Sequence, residues 1–288
     1  MGTLFIVATP IGHLEDITLR ALRVLREADW VAAEDTRRAR ALLAHYDIPT
    51  GKVVRYDEHS HARQAPRVLN ALAQGQRVAL VSDAGTPVLN DPGLALVQAA
   101  WQAGHRVVPI PGPNAAVAAL SAAGVPAVPY LYLGYPPRKA AARRRWLDAV
   151  ATLPVTLVLL EAPHRLHATL QALHASLGPQ RTLVIAREVT KAHEEFWRGT
   201  VAEAVHAWAE RAPRGEFTLV VGPPPASAPA WSDADLDAAI AAGLAAGEAP
   251  SALARRLAQA SGRPRGEVYR RILTAQDAAT DPRTETPP

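Results

Sequence analysis

The 288-residue sequence contains no cysteine. That absence excludes disulfide frameworks, thiolate zinc sites, iron–sulfur clusters and a thiol nucleophile together, and it fits a reducing compartment. Lysine is scarce as well. Only Lys52, Lys139 and Lys191 are lysine among 31 basic residues, so the net charge of +4 rests almost wholly on arginine. Arginine suits bidentate phosphate recognition. An alanine- and arginine-rich composition would produce the same balance on its own, so the charge permits a nucleic-acid partner without establishing one.

Charge is missing altogether from Val107 to Pro137, a run that also lacks histidine. A membrane span is excluded there by seven prolines, among them Pro109, Pro111, Pro113, Pro126 and Pro129, which one spanning helix cannot house. The run reads as buried structure. Residues Met1 to Pro10 carry no basic n-region and too short an apolar core for a signal peptide, and Ile6 breaks the myristoylation pattern. A cytoplasmic chain with no membrane partner is expected.

Three motifs are absent too. No Gly-x-Gly-x-x-Gly follows the first strand-like run, which argues against a nicotinamide or flavin dinucleotide. No Gly-x-Ser-x-Gly marks a serine hydrolase. His13, His45, His59, His61, His164 and His193 show no metal-binding spacing, so no metal is expected.

What is present, 49% hydrophobic and 20% charged residues, describes an ordered chain long enough for two packed cores. Short apolar runs at Leu4–Ala8, Trp30–Ala33, Val53–Tyr56, Val78–Val81 and Val107–Ile110 alternate with helical patterns such as Leu19-Leu22-Leu25 and Arg38–Tyr46. This is the rhythm of a parallel α/β sheet, and it predicts a first α/β domain over residues 1–113. Strands at Tyr130–Leu133, Thr156–Leu160, Leu183–Ala186, Glu195–Arg198 and Phe217–Val221 predict a second over 114–223. Its helices fall at Lys139–Val150, Arg165–Leu177 and Thr200–Arg211, the last opening on a Thr200…Glu203 capping box. A proline-rich linker is expected at 224–232 and a helical tail at 233–278, with disorder at 279–288. The tail helices, Ser251–Ala260 and Glu267–Leu273, fit a small capping bundle, with helix-turn-helix geometry the alternative.

Ligands of parallel sheets bind beyond the carboxyl ends of the strands, and the loops there are unusual. Thr9 to Thr18 is a tight proline turn. Ser82 to Gly93 packs two Asp, two Gly and two Pro into a dozen residues, which suits a ligand approaching the backbone beside a carboxylate. Pro111 to Ala116 starts a helix with small residues, leaving room for something flat such as a nucleoside. Three further loops, Glu34 to Arg38, Glu161 to Arg165 and Ala186 to Lys191, are dense in charge. Any one of them could be a capped helix end with a solvated salt bridge; three together indicate a cleft facing a polyanion. Lys139 to Arg145 is a basic helix start that fits either phosphates or a solvated face.

Taken in order, Leu4–Gly12, Ala33–Arg37, Val81–Pro87 with Asn90–Gly93, Pro111–Pro113, Glu161–Arg165, Ala186–Lys191 and Gly215–Phe217 resemble the tetrapyrrole-methylase superfamily. Within it they resemble the branch of 16S rRNA cytidine 2′-O-methyltransferases, over roughly residues 2 to 275. The chain departs from the branch's usual residues at His13, at Leu160–Pro163 and at Tyr135–Pro137. The resemblance implies a homodimer of two α/β domains with S-adenosylmethionine in the cleft between them. Thr9, Pro10, Gly12, Asp83, Ala84, Gly85, Thr86, Pro87, Pro111, Gly112, Pro113 and Ala115 would wrap that cofactor. The implied acceptor is cytidine 1402 in the decoding site, on 16S rRNA or the assembled small ribosomal subunit. A relative acting on a tetrapyrrole or a protein side chain is the alternative.

In-line methyl transfer requires alignment and exclusion of water, and a ribose hydroxyl needs a base or polarising cation. The charged loops supply Lys191 with Glu188 or Glu34 for that role. Arg37, Arg165, Arg187 and Lys139 are the expected phosphate ligands.

Overall fold

The computed structural model describes residues 1–49, 51–225 and 231–280, with side chains described through residue 276. Residues 226–230 of the expected linker and 281–288 of the expected disordered end lie outside the described residues. Two compact units divide the chain, Met1–Pro224 and Pro225–Pro288.

The first unit begins with strand β1 (Thr3–Val7), helix α1 (Leu19–Glu27), β2 (Trp30–Ala33), α2 (Thr36–His45), β3 (Lys52–Arg55), α3 (His61–Ala73), β4 (Arg77–Val81), α4 (Leu94–Gln102) and β5 (Arg106–Ile110). The five strands are parallel in the order β3-β2-β4-β1-β5. Because side chains alternate along a strand, each strand supplies both faces. Val7, Val31, Ala33, Ala79 and Val81 pack under α1 and α2 with Ala21, Leu25 and Leu43. Leu4, Ala32, Val78 and Leu80 pack under α3 and α4 with Val68, Leu72 and Leu96. The strand order reverses at β1 and β4, so their loops diverge at the carboxyl edge and open the crevice where such sheets bind ligands.

A second sheet follows: α5 (Ala115–Ala122), β6 (Tyr130–Gly134), α6 (Ala140–Asp148), β7 (Thr156–Glu161), α7 (Leu166–Leu177), β8 (Thr182–Arg187), β9 (Glu195–Thr200), α8 (Val201–Ala207) and β10 (Phe217–Val221). Its order is β6-β7-β10-β8-β9, with β6 and β7 parallel and the remaining pairs antiparallel. Helices α6, α7 and α8 cover one face through Leu147, Leu170 and Trp208, while the small residues Ala116 and Ala119 of α5 cover the other. The capping box at Thr200 and Glu203 is formed. The uncharged run around Val107–Pro137 supplies β5, α5 and β6, and among the described residues no helix is long and apolar enough to cross a membrane.

In the second unit, α9 (Asp233–Ala245), α10 (Pro250–Ser261) and α11 (Arg265–Thr280) enclose a core of Leu236, Ile240, Leu253, Leu257, Val268 and Ile272. Helix α11 runs on through residues 279 and 280, which were expected to be disordered.

Candidate active site

The loops after β1 and β4 are tied together by their backbones. Thr9 donates to the Gly85 carbonyl at 2.9 Å and Gly85 donates back to the Thr9 carbonyl at 3.0 Å. Gly85 sits at φ +81, and a Cβ there would lie 3.3 Å from the Ile11 side chain, so both conformation and space select glycine. Thr86 Oγ1 donates to the Pro113 carbonyl at 3.1 Å, bringing in the loop after β5. Val88 and Asn90 also adopt left-handed backbone, at φ +75 and +67. For a β-branched valine that conformation costs about 1–3 kcal/mol.

Beneath these loops lie two adjoining cavities of about 250 and 490 Å³ that share Ile11, Arg38, Asp83, Ala84 and Glu216. The smaller one spans both sheets, with Glu34, Asp83 and Asp91 from the first facing Tyr132, Tyr135 and Phe217 from the second. The larger one is lined by Thr9, Pro10, Gly12, Leu42 and Lys191. Of the expected cofactor residues, Thr9, Pro10, Gly12, Asp83, Ala84, Gly85, Thr86 and Ala115 line one cavity or the other. Pro113 acts from behind through its carbonyl. Pro87, Pro111 and Gly112 line neither. Pro87 is buried, and Gly112 fits against Ala8, 2.9 Å from where its Cβ would be.

The acidic cluster is electrostatically unsettled. Burial, then the neighbouring Asp91 and Asp83, push the Glu34 carboxyl above its ordinary value. Burial and Asp83 do the same to Asp91, against a hydrogen bond from Ser82. Asp83 accepts the Asp35 N–H at 2.9 Å and has Arg38 at 3.6 Å as its cationic partner. On the opposite wall, burial first and then Tyr135 and Asp91 push the Tyr132 phenol up to about 12. A pocket in which carboxylates resist ionisation favours a ligand bearing positive charge.

Lys191 is held differently. Its Nζ lies 2.9 Å from Glu188 Oε1 and 3.2 Å from Glu216 Oε2. Burial pulls the ammonium's pKa down, but the two carboxylates outweigh it and raise it. Glu188 also accepts the Glu216 N–H at 2.9 Å; burial pulls its carboxyl up, yet these partners hold it below its ordinary value. Glu188 therefore lies behind Lys191 and lines neither cavity. Gly12 makes this arrangement possible, since a Cβ there would fall 2.4 Å from Lys191 Cγ.

Two expected phosphate ligands turn out to be committed inside the protein. Arg165, with its side chain 15% exposed, pairs with the fully buried Glu161 at 3.3 Å and donates to the Pro136 carbonyl. Arg187 donates to the Arg214 carbonyl at 2.7 Å and pairs with Glu195. Arg37 and Lys139 are exposed. Sequence reasoning missed Arg38, Asp91, Tyr132, Tyr135 and Glu216 as cavity residues. Asp91 and Glu216 stood in segments already singled out, whereas nothing in the spacing marks Tyr132 as facing a loop of the other sheet. Among the described residues no three or more His, Asp or Glu side chains are placed so that they could hold a metal ion together.

Residues 3–205 match the family model of the tetrapyrrole (corrin/porphyrin) methylases. A Mesorhizobium japonicum protein named ribosomal RNA small subunit methyltransferase I is 45% identical over 96% of this chain and 93% of its own length. A Synechocystis protein of the same name is 42% identical over 95% of this chain and 98% of its own. The chain belongs to the ribosomal RNA small subunit methyltransferase I family of tetrapyrrole methylases. A Thermotoga maritima member of that family matches 77% of this chain with 98% of its own length, so it has no counterpart for about a fifth of the present chain. Among solved structures, uroporphyrin-III-C-methyltransferase from Thermus thermophilus aligns with a TM-score of 0.54 at 27% identity, covering 77% of this chain and 94% of that one. Diphthine synthase shares the fold at TM-score 0.60 and 15% identity, covering 77% and 90%. A further Thermus thermophilus uroporphyrin-III C-methyltransferase structure, with TM-score 0.54 and 20% identity over 77% of this chain and 97% of that one, is a complex with S-adenosyl homocysteine.

Proposed function

We propose that this methyltransferase moves a methyl group from S-adenosylmethionine to the 2′-oxygen of cytidine 1402 of 16S rRNA in the small ribosomal subunit, and that it works as a cytoplasmic homodimer. The observation that carries the reading is a cation-favouring acidic cavity whose rim, Glu34 to Arg38, turns directly into exposed arginine. The relatives' shared name supports the RNA acceptor.

The residues present fit the cofactor. Thr9, Pro10, Gly12, Ala84, Gly85 and Thr86 would surround it with backbone groups and small side chains, and Ala115 leaves space at the start of α5. The bound cofactor supplies an electrophilic methyl on a positively charged sulfur. Glu34, Asp83 and Asp91 favour that charge, and product formation removes it.

Glu34 is the base. Its raised carboxyl is a better proton acceptor than an ordinary one, so its carboxylate takes the ribose hydroxyl proton as the oxygen attacks. Lys191 remains protonated and acts as a polarising cation, and Glu188 positions it. Tyr132 and Tyr135 form the second wall of the cavity. Leu94 and Trp101, exposed seven residues apart on α4, present an apolar face for a second copy. Trp101→Glu is expected to shift the dimer to monomer in light scattering.

The test is incubation with methyl-labelled S-adenosylmethionine and small ribosomal subunits lacking the modification, followed by mapping of the label. Label on the 2′-oxygen of that one cytidine is the expected result. Absence of label on rRNA, with the methyl donor still bound, overturns the acceptor and directs the same assay to uroporphyrinogen and protein acceptors.

A further inference from the structure

Two shallow recesses lie on the carboxyl edge of the first sheet, outside the cavities already described. One, of about 240 Å³, is formed by Asp35, Thr36, Arg37 and Arg55 after β2 and β3. The other, of about 410 Å³, is formed by Arg55, Asp57, His59, Ser60 and Arg63. They share Arg55. Since β2 and β3 are neighbours at the sheet's edge, the pair makes one shallow channel. It starts one residue beyond Glu34 and leads away from the reacting centre.

The charges along this channel are sorted by depth. Asp35 is 27% exposed at its side chain, caps α2 by accepting the Arg37 N–H at 2.8 Å, and holds the Arg37 guanidinium at 2.9 Å. Asp57, 12% exposed, accepts the Ser60 N–H at 2.7 Å and the His59 N–H at 3.2 Å, and binds Arg55 Nε at 2.6 Å. The arginines point the other way, with Arg37 88% and Arg55 66% exposed. Hydrogen bonds from Arg37 hold Asp35 at about 2 and those from Ser60 hold Asp57 below the usual carboxylate range, so both acids stay ionised and brace their arginines. Arg63 is exposed and its side chain has no partner among the described residues. Glu58, exposed on the same turn, lines neither recess. An anion approaching from solvent therefore meets guanidinium first.

From this arrangement we infer that Arg37, Arg55 and Arg63 form a phosphate track that holds the RNA strand flanking the methylated nucleotide. The inference rests on the RNA acceptor proposed above and supplies what that acceptor needs. A strand whose ribose lies at Glu34 must carry its neighbouring phosphates away from three carboxylates, and the channel leads them over β2 and β3. Backbone contacts of this kind set register and orientation while leaving the chemistry to other groups. The track replaces the anchoring expected from Arg165 and Arg187.

The test uses the full-length protein and small ribosomal subunits lacking the methyl group, at saturating S-adenosylmethionine over a series of KCl concentrations. Arg63→Glu, at an exposed and unpartnered position, is expected to raise KM for subunits about tenfold with kcat unchanged. It should also flatten the salt dependence by about 0.7 in the log–log slope for each single-strand phosphate that the protein no longer neutralises. Arg55→Gln combined with Arg63→Gln is expected to do more without introducing repulsion. Arg106→Glu makes the same charge change at the exposed amino end of β5, on the opposite edge of the sheet, and should leave KM within about twofold. KM values for the Arg63 and Arg55 variants that match Arg106→Glu, with a wild type that labels rRNA, overturn the track and leave the acceptor standing. A wild type that labels no rRNA overturns the acceptor, and the track with it.

Discussion

The loops after β2 and β7 are alike as sequence and opposite as structure. Glu34 to Arg38 and Glu161 to Arg165 each place a glutamate at the end of a strand, just after β2 and as the last residue of β7, and follow it with arginine. After β7 the charges close on one another. Glu161 is buried, accepts from Thr169 Oγ1 and the Ala162 N–H, and meets Arg165, which also caps the Pro136 carbonyl. After β2 only the glutamate stays open. Glu34 faces two other carboxylates with its pKa raised, while Arg37 pairs with Asp35 out in solvent. A closed set of charges holds a loop in place, whereas an open set of like charges stores a cost that a bound cation or an accepted proton relieves. What separates the two loops is whether the glutamate finds an ion-pair partner within the protein, as Glu161 does in Arg165.

The largest expected effect tests the open loop. Glu34→Gln should lower kcat about 10²- to 10⁴-fold, the range for losing a general base, in methyl transfer at saturating substrates. Thermal unfolding at pH 7 should move slightly upward, because the substitution removes a repelled charge. For the wild type, a raised carboxyl pKa requires kcat to climb with pH through a value above 4.5 and then level off.

Glu161→Ala tests the closed loop, with the opposite signature. It leaves Arg165 largely buried without its counter-charge and should cost about 3–5 kcal/mol in urea unfolding, with kcat per folded molecule unchanged. A loss of kcat without a loss of stability would erase the distinction between the two loops.

Lys191→Gln should lower kcat about 10²-fold, the low end of the range for losing one electrostatic donor. Glu188→Gln, which loosens Lys191 while Glu216 still holds it, should cost less. Because the Glu188 carboxyl is depressed, its stabilisation is present above the ordinary carboxylate value and fades as pH falls through its lowered pKa. Acid unfolding of Glu188→Gln should therefore show a shallower pH dependence than wild type. The smallest effect concerns the cofactor's charge: binding of S-adenosylmethionine should strengthen modestly as pH rises through the raised pKa of Glu34 and Asp91, while binding of the uncharged-sulfur product should change less, as read by titration calorimetry.

Much of the fold was legible from short-range signals. Apolar runs bounded by turns located every strand to within two residues at either end, since a buried strand must alternate or fill both faces with aliphatic side chains whatever lies beyond it. Capping chemistry at Thr200 and Glu203 was equally local. The tight proline turn at Thr9 to Gly12 and the glycine-, proline- and aspartate-rich loop at Ser82 to Gly93 stood out locally, and both contribute to the cavity linings. The internal partners of Arg165 and Arg187 were not legible, because Pro136 and Arg214 lie 29 and 27 residues away in sequence.

The sequence by itself determined the class of fold, the family and the loops that line the cavities, because each of these is written in residues close together along the chain. Only the tertiary structure decided which charges are free. The raised pKa of Glu34 depends on its burial and on Asp91 and Asp83, brought to it by β4 lying beside β2. Arg37 and Arg55 share a recess because β2 and β3 pair in register. Ionisation and ion pairing respond to distance in space and to exclusion of water, and neither is fixed until the sheets and their loops have come together.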